Sequence, residues 1–252
     1  KEKTAMFETG AKSVIEKILP VIDNFERGFA TVDPEDEEDA FVGGMRMVYK
    51  QMMTELEDVA SRLNDARCKH AGEFAAAIQE SIRGLELPYA IFEVEIAEAP
   101  LSATGRDSIV FRFSSAGRNA VDVAKCASGG EMSRIMLSLK AMMARYTNMP
   151  TMIFDEIDTG VSGSVADRMG SMICEMGSFM QVFAITHLPQ VAAKGSAHYL
   201  VSKEIDPQTS TAVSTITRLS DEERVLEVAR MLSGSVLTDA AIANAKSLLQ
   251  QR

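Results

Sequence analysis

Apolar positions open the chain at helical spacing. Val14, Ile15, Ile18, Leu19, Ile22, Phe25 and Phe29 recur every three to four residues, which predicts an amphipathic helix. Pro20 interrupts this stripe and predicts a kink or a restart. A second helix is predicted over about 38–58, with Phe41, Met45, Val48, Tyr49, Met52, Met53 and Leu56 on its apolar face. Two such stripes cannot cover each other completely, so a hairpin packed on a partner or a second copy is expected. The helical period continues from Ser61 to about Gly84, with Leu63, Phe74, Ile78 and Ile82 inward.

The period then changes. Tyr89–Ile96 and Ser108–Phe113 alternate like strands, and Gly105 is placed in the turn of a hairpin-like pair. Beyond them, helices and short apolar strands alternate: helix 131–145, strand 151–155, helix 164–177, strand 181–186, strands near 198–203 and 211–218, and helices 221–232 and 238–250. This order predicts an α/β layer with a mainly parallel sheet flanked by helices. The organisation expected is a helical segment 1–60, a further helical stretch 61–84 and an α/β lobe 85–252.

Composition narrows the class only modestly. In 252 residues, 46% are hydrophobic and 25% charged, as in an ordinary globular chain. No apolar run approaches the ~20 residues of a membrane span, so no membrane partner is expected. The opening Lys1-Glu2-Lys3, without initiator Met or signal peptide, reads as an internal piece of a longer protein. Three scattered cysteines, Cys68, Cys126 and Cys174, argue against disulfide and zinc frameworks and for a reducing cytoplasm. The three histidines show no ligand spacing. The net charge is −10, and residues 1–60 contribute −7 of it. The run Asp33-Pro34-Glu35-Asp36-Glu37-Glu38-Asp39 reads as a solvated turn before a helix N-terminus. No basic excess announces a phosphate-tracking surface.

Three stretches carry candidate chemistry. In Ala127-Ser128-Gly129-Gly130-Glu131-Met132-Ser133-Arg134, the Ser128-x-x-Glu131 spacing fits a capping box. The two glycines fit equally an anion cradle of bare N–H groups at a helix N-terminus. In Thr151–Gly160, an apolar strand runs into Asp155-Glu156. Adjacent strand residues point opposite ways, so one carboxylate could hold Mg²⁺ while the other polarises a water. A strand ending in a solvated acidic turn is the plainer alternative. In Gln181–Gln190, a second apolar strand ends at Thr186-His187, and a lone histidine is most often structural. Ligands gather at such strand ends in open α/β sheets.

The order Ser-Gly-Gly, strand–Asp-Glu, strand–Thr-His resembles the distal half of an ABC-type ATPase head. The segments Lys125–Leu137, Ile153–Gly163 and Thr186–Ala192 further resemble the RecN family, SMC-like ATPases of bacterial double-strand-break repair. The resemblance runs from about Ser61 to Arg252. It implies that Ser128, Gly129 and Gly130, with Glu131 beside them, form the signature motif contacting the γ-phosphate of ATP on an opposing head. It implies that Asp155 is the Walker B acid holding Mg²⁺, that Glu156 orients the attacking water, that Asp158 lies in the D-loop and that His187 is the switch histidine. The implied partners are a second head, an amino-terminal lobe and, through the full assembly, DNA. No Gly-x-x-x-x-Gly-Lys-[Ser/Thr] occurs, so the phosphate-gripping Walker A loop is expected from that amino-terminal lobe. The chain by itself is expected to bind ATP weakly and hydrolyse little.

Residues 1–58 differ. Ile18–Gly28 and Ala40–Gln51 resemble GrpE, the nucleotide-exchange co-chaperone of the Hsp70 system, over its long helix and dimerising bundle. Its chaperone-contacting β-wing has no counterpart, so exchange activity is not expected, whereas helical self-association is. The rival reading is a non-catalytic assembly module whose front helices dimerise. Arg134, Lys140 and Arg145 share a helix and read as solvated surface rather than a DNA contact, and the 16 methionines as pliable core.

Overall fold

The computed structural model describes residues 20–125, 128–205, 212–234 and 236–250. The early stripe Val14–Leu19 lies outside them, as do Cys126 and Ala127 of the Ser-Gly-Gly segment. The chain divides into two compact units. One takes residues up to 73 with 94–110, the other 74–93 with 111–252.

In the first unit, helix α1 (20–29) meets the start of helix α2 (Ala40–Gly84). The acidic run between them is a solvated turn, as expected. Its last residue, Asp39, caps α2 by accepting from the Phe41 and Val42 N–H groups at 2.7 and 3.4 Å. Phe25, Phe29 and Tyr49 cluster, with the Phe29 and Tyr49 rings edge-on at 5.6 Å. The Tyr49 hydroxyl donates to Glu26 at 2.6 Å, and that bond raises its pKa. A groove of about 380 Å³ beside the cluster is lined by Val21, Phe25, Phe29, Phe41 and Met45, among others. Phe41, expected on a packed face, is 75% exposed. The helix expected over 38–58 and the helical period expected over 61–84 run as one continuous α2, because Asp58-Val59-Ala60-Ser61 holds neither Pro nor Gly.

The predicted hairpin is longer than its alternation suggested: β1 (Ile91–Ser102) and β2 (Gly105–Ser114), followed by a short β3 (Val121–Asp122), in sheet order β1-β2-β3. The turn itself is Ala103-Thr104. Gly105 begins β2 at φ +104°, where a Cβ would crowd Leu63 and Arg67 at 3.1 Å. Asn64 and Arg67 of α2 donate to Asp107 at 2.6 and 2.8 Å.

The second unit holds the lobe: α3 (Gly129–Thr147), β4 (Thr151–Asp155), α4 (Gly163–Met176), β5 (Gln181–Ile185), α5 (Pro189–Lys194), β6 (Tyr199–Ile205), β7 (Ala212–Arg218), α6 (Asp221–Ser233) and α7 (Asp239–Gln250). Each predicted helix and strand is present within two residues at each end; α5 was not foreseen. β4 and β5 pair in parallel, from Thr151 opposite Gln181 to Asp155 opposite Ile185. β6 and β7 form an antiparallel ladder. Strand alternation buries Met152 and Phe154 against Leu137, Ala166, Met169 and Ile173 of α3 and α4. Four methionines of this core (Met152, Met169, Met176 and Met180) fill it as the composition suggested. The end of α2 is part of the lobe: Ile78, Ile82 and Leu85 are buried.

Candidate functional site

The three stretches converge because short polar contacts join their loops. α3 begins at Gly129 after Ser128, whose extended backbone (φ −92°, ψ 122°) is that of an N-cap. Its side chain makes no capping hydrogen bond among the described residues. The same Ser-x-x-Glu spacing does close into a full capping box at Ser220 and Glu223 of α6, where both reciprocal bonds form. At Ser128 the spacing is present and the box is not, so the helix N-terminus stays open to an anion. Ser128 and Gly129 are exposed, Glu131 is half-buried and Gly130 is buried.

Gly130 is buried because the next loop lies directly on it. A Cβ there would stand 2.5 Å from the carbonyl oxygen of Gly160, and one on Gly160, at φ +79°, would stand 3.0 Å from Gly130 N. Both positions require glycine. The Ser133 hydroxyl lies 3.0 Å from Gly129 O and 3.1 Å from Thr159 O, able to donate to either carbonyl. The serine–glycine corner and the turn after β4 are thereby one surface.

Asp155 ends β4, exposed, and Glu156 follows in the left-handed region at φ +47°. Glu156 N donates to Ile185 O of β5 at 3.1 Å. The chain turns sharply there, and the Glu156 carbonyl accepts from Thr159 N and Thr159 Oγ1 at 3.2 and 2.8 Å. A non-glycine residue at positive φ stores strain, which clusters at functional sites. The two acids do not simply alternate along a strand; the turn sets their divergence.

Asp158 is enclosed, at 1% exposure. Its Oδ2 accepts a hydrogen bond from the Thr186 hydroxyl, and its Oδ1 has no partner among the described residues. Thr186 Oγ1 also accepts from Leu188 N at 2.9 Å. His187 lies between these two residues and is exposed. The structure therefore brings Ser128, Gly129, Gly130, Asp155, Glu156, Asp158 and His187 onto connected loops at the carboxyl ends of β4 and β5 and the amino end of α3. Glu131 follows the corner on the first turn of α3. No group of three or more His, Cys, Asp or Glu forms a metal cage among the described residues. One carboxylate at a strand end suits Mg²⁺, which keeps most of its waters and takes phosphate oxygens.

Four further residues join the site. Ser133, Thr186 and Gly160 sit inside the three motifs, and nothing in their spacing marks them as the joints between motifs. Arg134 corrects its reading as solvated surface. It is half-buried, and it donates to Gly130 O at 3.0 Å and to Leu85 O at 3.3 Å, tying the corner to the end of α2. Burial lowers its pKa, against the pull of Glu131 and Glu86. Its i+4 spacing from Gly130 was the available signal. Glu86, at φ +64°, completes this junction by accepting from Ser164 and Arg168 at 2.9 and 3.2 Å.

Comparison with known proteins bears on the whole arrangement. The chain is 40% identical over 194 residues to the DNA repair protein RecN of Rickettsia conorii, covering 76% of this chain and 35% of that protein. It is 35% identical to RecN of Haemophilus influenzae, covering 87% of this chain and 39% of that one. The chain thus spans little more than a third of the length of the relatives it matches. Among solved structures, an SMC head bound to the C-terminal winged-helix domain of ScpA superimposes with TM-score 0.51 at 19% identity, over 67% of this chain and 48% of that one. The Smc head with coiled coil and joint from Pyrococcus yayanosii gives TM-score 0.51 at 19% identity, over 86% and 42%. The fold is that of an SMC-type, ABC-ATPase-like head lobe, and most of the sequence is RecN-like. The GrpE family model matches residues 1–62. Both resemblances read from the sequence stand.

Proposed function

We propose that this chain is the carboxy-terminal part of a RecN-like ATPase of DNA double-strand-break repair and recombination, supplying half of a composite ATP site. The observation that supports it best is the joining of three loops by Gly130–Gly160, Ser133–Thr159 and Asp158–Thr186 contacts along one end of the parallel pair. An N-cap serine whose side chain makes no capping bond among the described residues, and an exposed pair of acids at a strand's end, suit a polyphosphate with its divalent cation. Magnesium-ATP, when bound, supplies the transferable phosphoryl group and a charge that the protein must position and neutralise.

The roles follow the motif resemblance. Ser128, Gly129 and Gly130, with Glu131 at their edge, would form the corner that meets the γ-phosphate held by the opposing head, Ser128 and Gly129 being its exposed members. Asp155 would hold Mg²⁺. Glu156, turned out of the strand direction, orients and accepts a proton from the attacking water. His187 would be the switch histidine that senses the γ-phosphate, and Asp158 would organise the turn beside it. The Walker A loop comes from an amino-terminal lobe, and DNA is engaged by the whole assembly, at the bacterial nucleoid in the cytoplasm.

By the resemblance, residues 85–252 belong to this lobe and 61–84 to the end of its coiled-coil arm, whose last turns from 74 on pack into the lobe, and 1–60 are a GrpE-like segment able to self-associate through exposed apolar positions of α1 and α2. The RecN-like motifs and the SMC-type fold favour the ATPase reading over a purely structural module.

The test mixes the chain with a separately made amino-terminal lobe bearing a Walker A loop. Magnesium-dependent ATP hydrolysis is expected from the mixture, and Glu156→Gln is expected to lower kcat about 10²–10⁴-fold, the usual worth of a positioned acid–base group. No turnover from the mixture, or turnover untouched by Glu156→Gln, would overturn the proposal.

A further inference from the structure

We infer that Thr186 is a positioning residue whose hydroxyl clamps the turn after β4 to the start of α5 and so fixes how His187 is presented. The inference rests on the ATPase reading above and goes beyond it, because the motif resemblance assigns Thr186 no role.

Thr186 is the first residue beyond β5, where the ladder with β4 has ended at Asp155 and Ile185. From there the direction of the chain must be set by something else. The Thr186 hydroxyl sets it on both sides of His187. It accepts from Leu188 N at 2.9 Å, closing an ST-turn around His187. It donates to Asp158 Oδ2, anchoring that turn to the neighbouring loop. Leu188 is the N-cap of α5, with Pro189 at its first position, so the same hydroxyl also fixes where α5 begins.

Asp158 makes the anchor strong. It is 1% exposed, and the Thr186 bond meets one oxygen while the other has no partner among the described residues. A buried carboxylate holds tightly to the donor it has, because losing it leaves charge or polarity unmet. The turn that carries Asp158 also carries Thr159 and Gly160, which rest on Ser133 and Gly130. The clamp therefore registers the His187 loop against the serine–glycine corner as well as against the acids. A β-branched side chain at a strand end needs no hydroxyl for packing; valine has the same shape. The oxygen is the informative atom.

Thr186→Val, Thr186→Ala and Thr186→Ser test this in two ways. In the full chain alone, without nucleotide, amide exchange at Leu188 is expected to quicken about 10-fold or more in Thr186→Val and Thr186→Ala and to stay within about 2-fold in Thr186→Ser, since only the first two lose the acceptor. In the reconstituted mixture, Thr186→Val is expected to lower kcat about 10–100-fold with the KM for ATP changed less than about 3-fold, the signature of misplacement rather than lost binding, and Thr186→Ser to restore kcat.

Unchanged exchange in Thr186→Val overturns the clamp, whether or not the mixture hydrolyses ATP. Altered exchange with wild-type kcat overturns its bearing on His187. A wild-type mixture that does not turn over overturns the ATPase reading, and with it the part of the inference that concerns His187. Failure of both Thr186→Val and Thr186→Ala to fold, where Thr186→Ser folds, shows a structural hydroxyl and overturns the positioning role.

Discussion

Gly129 and Gly130 are neighbours with opposite tolerances, and the difference is a test of the joined surface. A Cβ on Gly129 meets nothing within 4 Å among the described residues, whereas one on Gly130 meets the Gly160 carbonyl at 2.5 Å, and backbone cannot yield cheaply. Gly130→Ala is expected to destabilise the chain by about 1–3 kcal/mol through overpacking. Gly129→Ala, at the first position of α3, is expected to be neutral or to stabilise by about 0.4–1 kcal/mol by restricting the unfolded chain. Urea unfolding of both variants measures this; equal effects would show that the Gly130–Gly160 approach is not tight. The sequence marked both glycines as one motif and could not rank them, because the rank depends on a loop thirty residues away. It likewise offered a capping box at Ser128 and Glu131. The box that forms is at Ser220 and Glu223. Spacing states which bonds are possible; the approach of other loops decides which are made.

Elements were far more legible than their joints. Helix and strand periods located α3, β4, α4, β5, β6, β7, α6 and α7, because each buries one stripe or one face and repeats at its own period. The parallel register of β4 and β5, which places Asp155 beside Ile185, needed the structure. So did the continuity of α2 through residue 60, for two helices and one long helix share a period. In the first unit, α2 is pinned to β2 by Asn64 and Arg67 on Asp107, a contact across forty residues with no local trace. The Arg67 hydrogen bond, aided by Asn64 and opposed by burial, holds the Asp107 carboxyl below the usual carboxylate range. The sign follows from linkage: a carboxyl with a depressed folded pKa adds stability above its unfolded pKa, near 3.9, and loses it as pH falls through the folded value. Stability is therefore expected to drop below about pH 4, and Asp107→Asn is expected to flatten that part of the profile. Unfolding curves across pH 2–6 for both proteins check it, identical slopes being the contrary result.

At the scale of the whole molecule, the unsatisfied surface is the most telling feature. β4 and β5 are covered on one side by α3 and α4, yet Ile153 is 62% exposed and Ile185 54%, with Phe183 also open. A two-stranded pair with one bare apolar face is marginal alone in water, and contiguous exposed apolar positions mark an interface. The same face ends in Asp155. If the proposed function holds, the amino-terminal lobe that would carry the Walker A loop is the occupant expected there, since it would meet both the packing and the chemistry. Cover and catalysis should then fail together. Ile153→Lys replaces an exposed residue, so the chain is expected to fold with stability within about 0.5 kcal/mol of wild type. A lysine at the centre of a closed interface is expected to weaken association with the lobe by about 2 kcal/mol or more, some 30-fold. ATP turnover at subsaturating lobe should fall in proportion and recover when lobe is added in excess, because the carboxylates themselves are untouched. Calorimetric titration of the lobe into each protein, read beside the turnover curves, decides it. Equal affinities would place the lobe elsewhere and leave this face to another partner; weakened affinity with turnover unrecovered at saturation would mean that Ile153 orders the site itself.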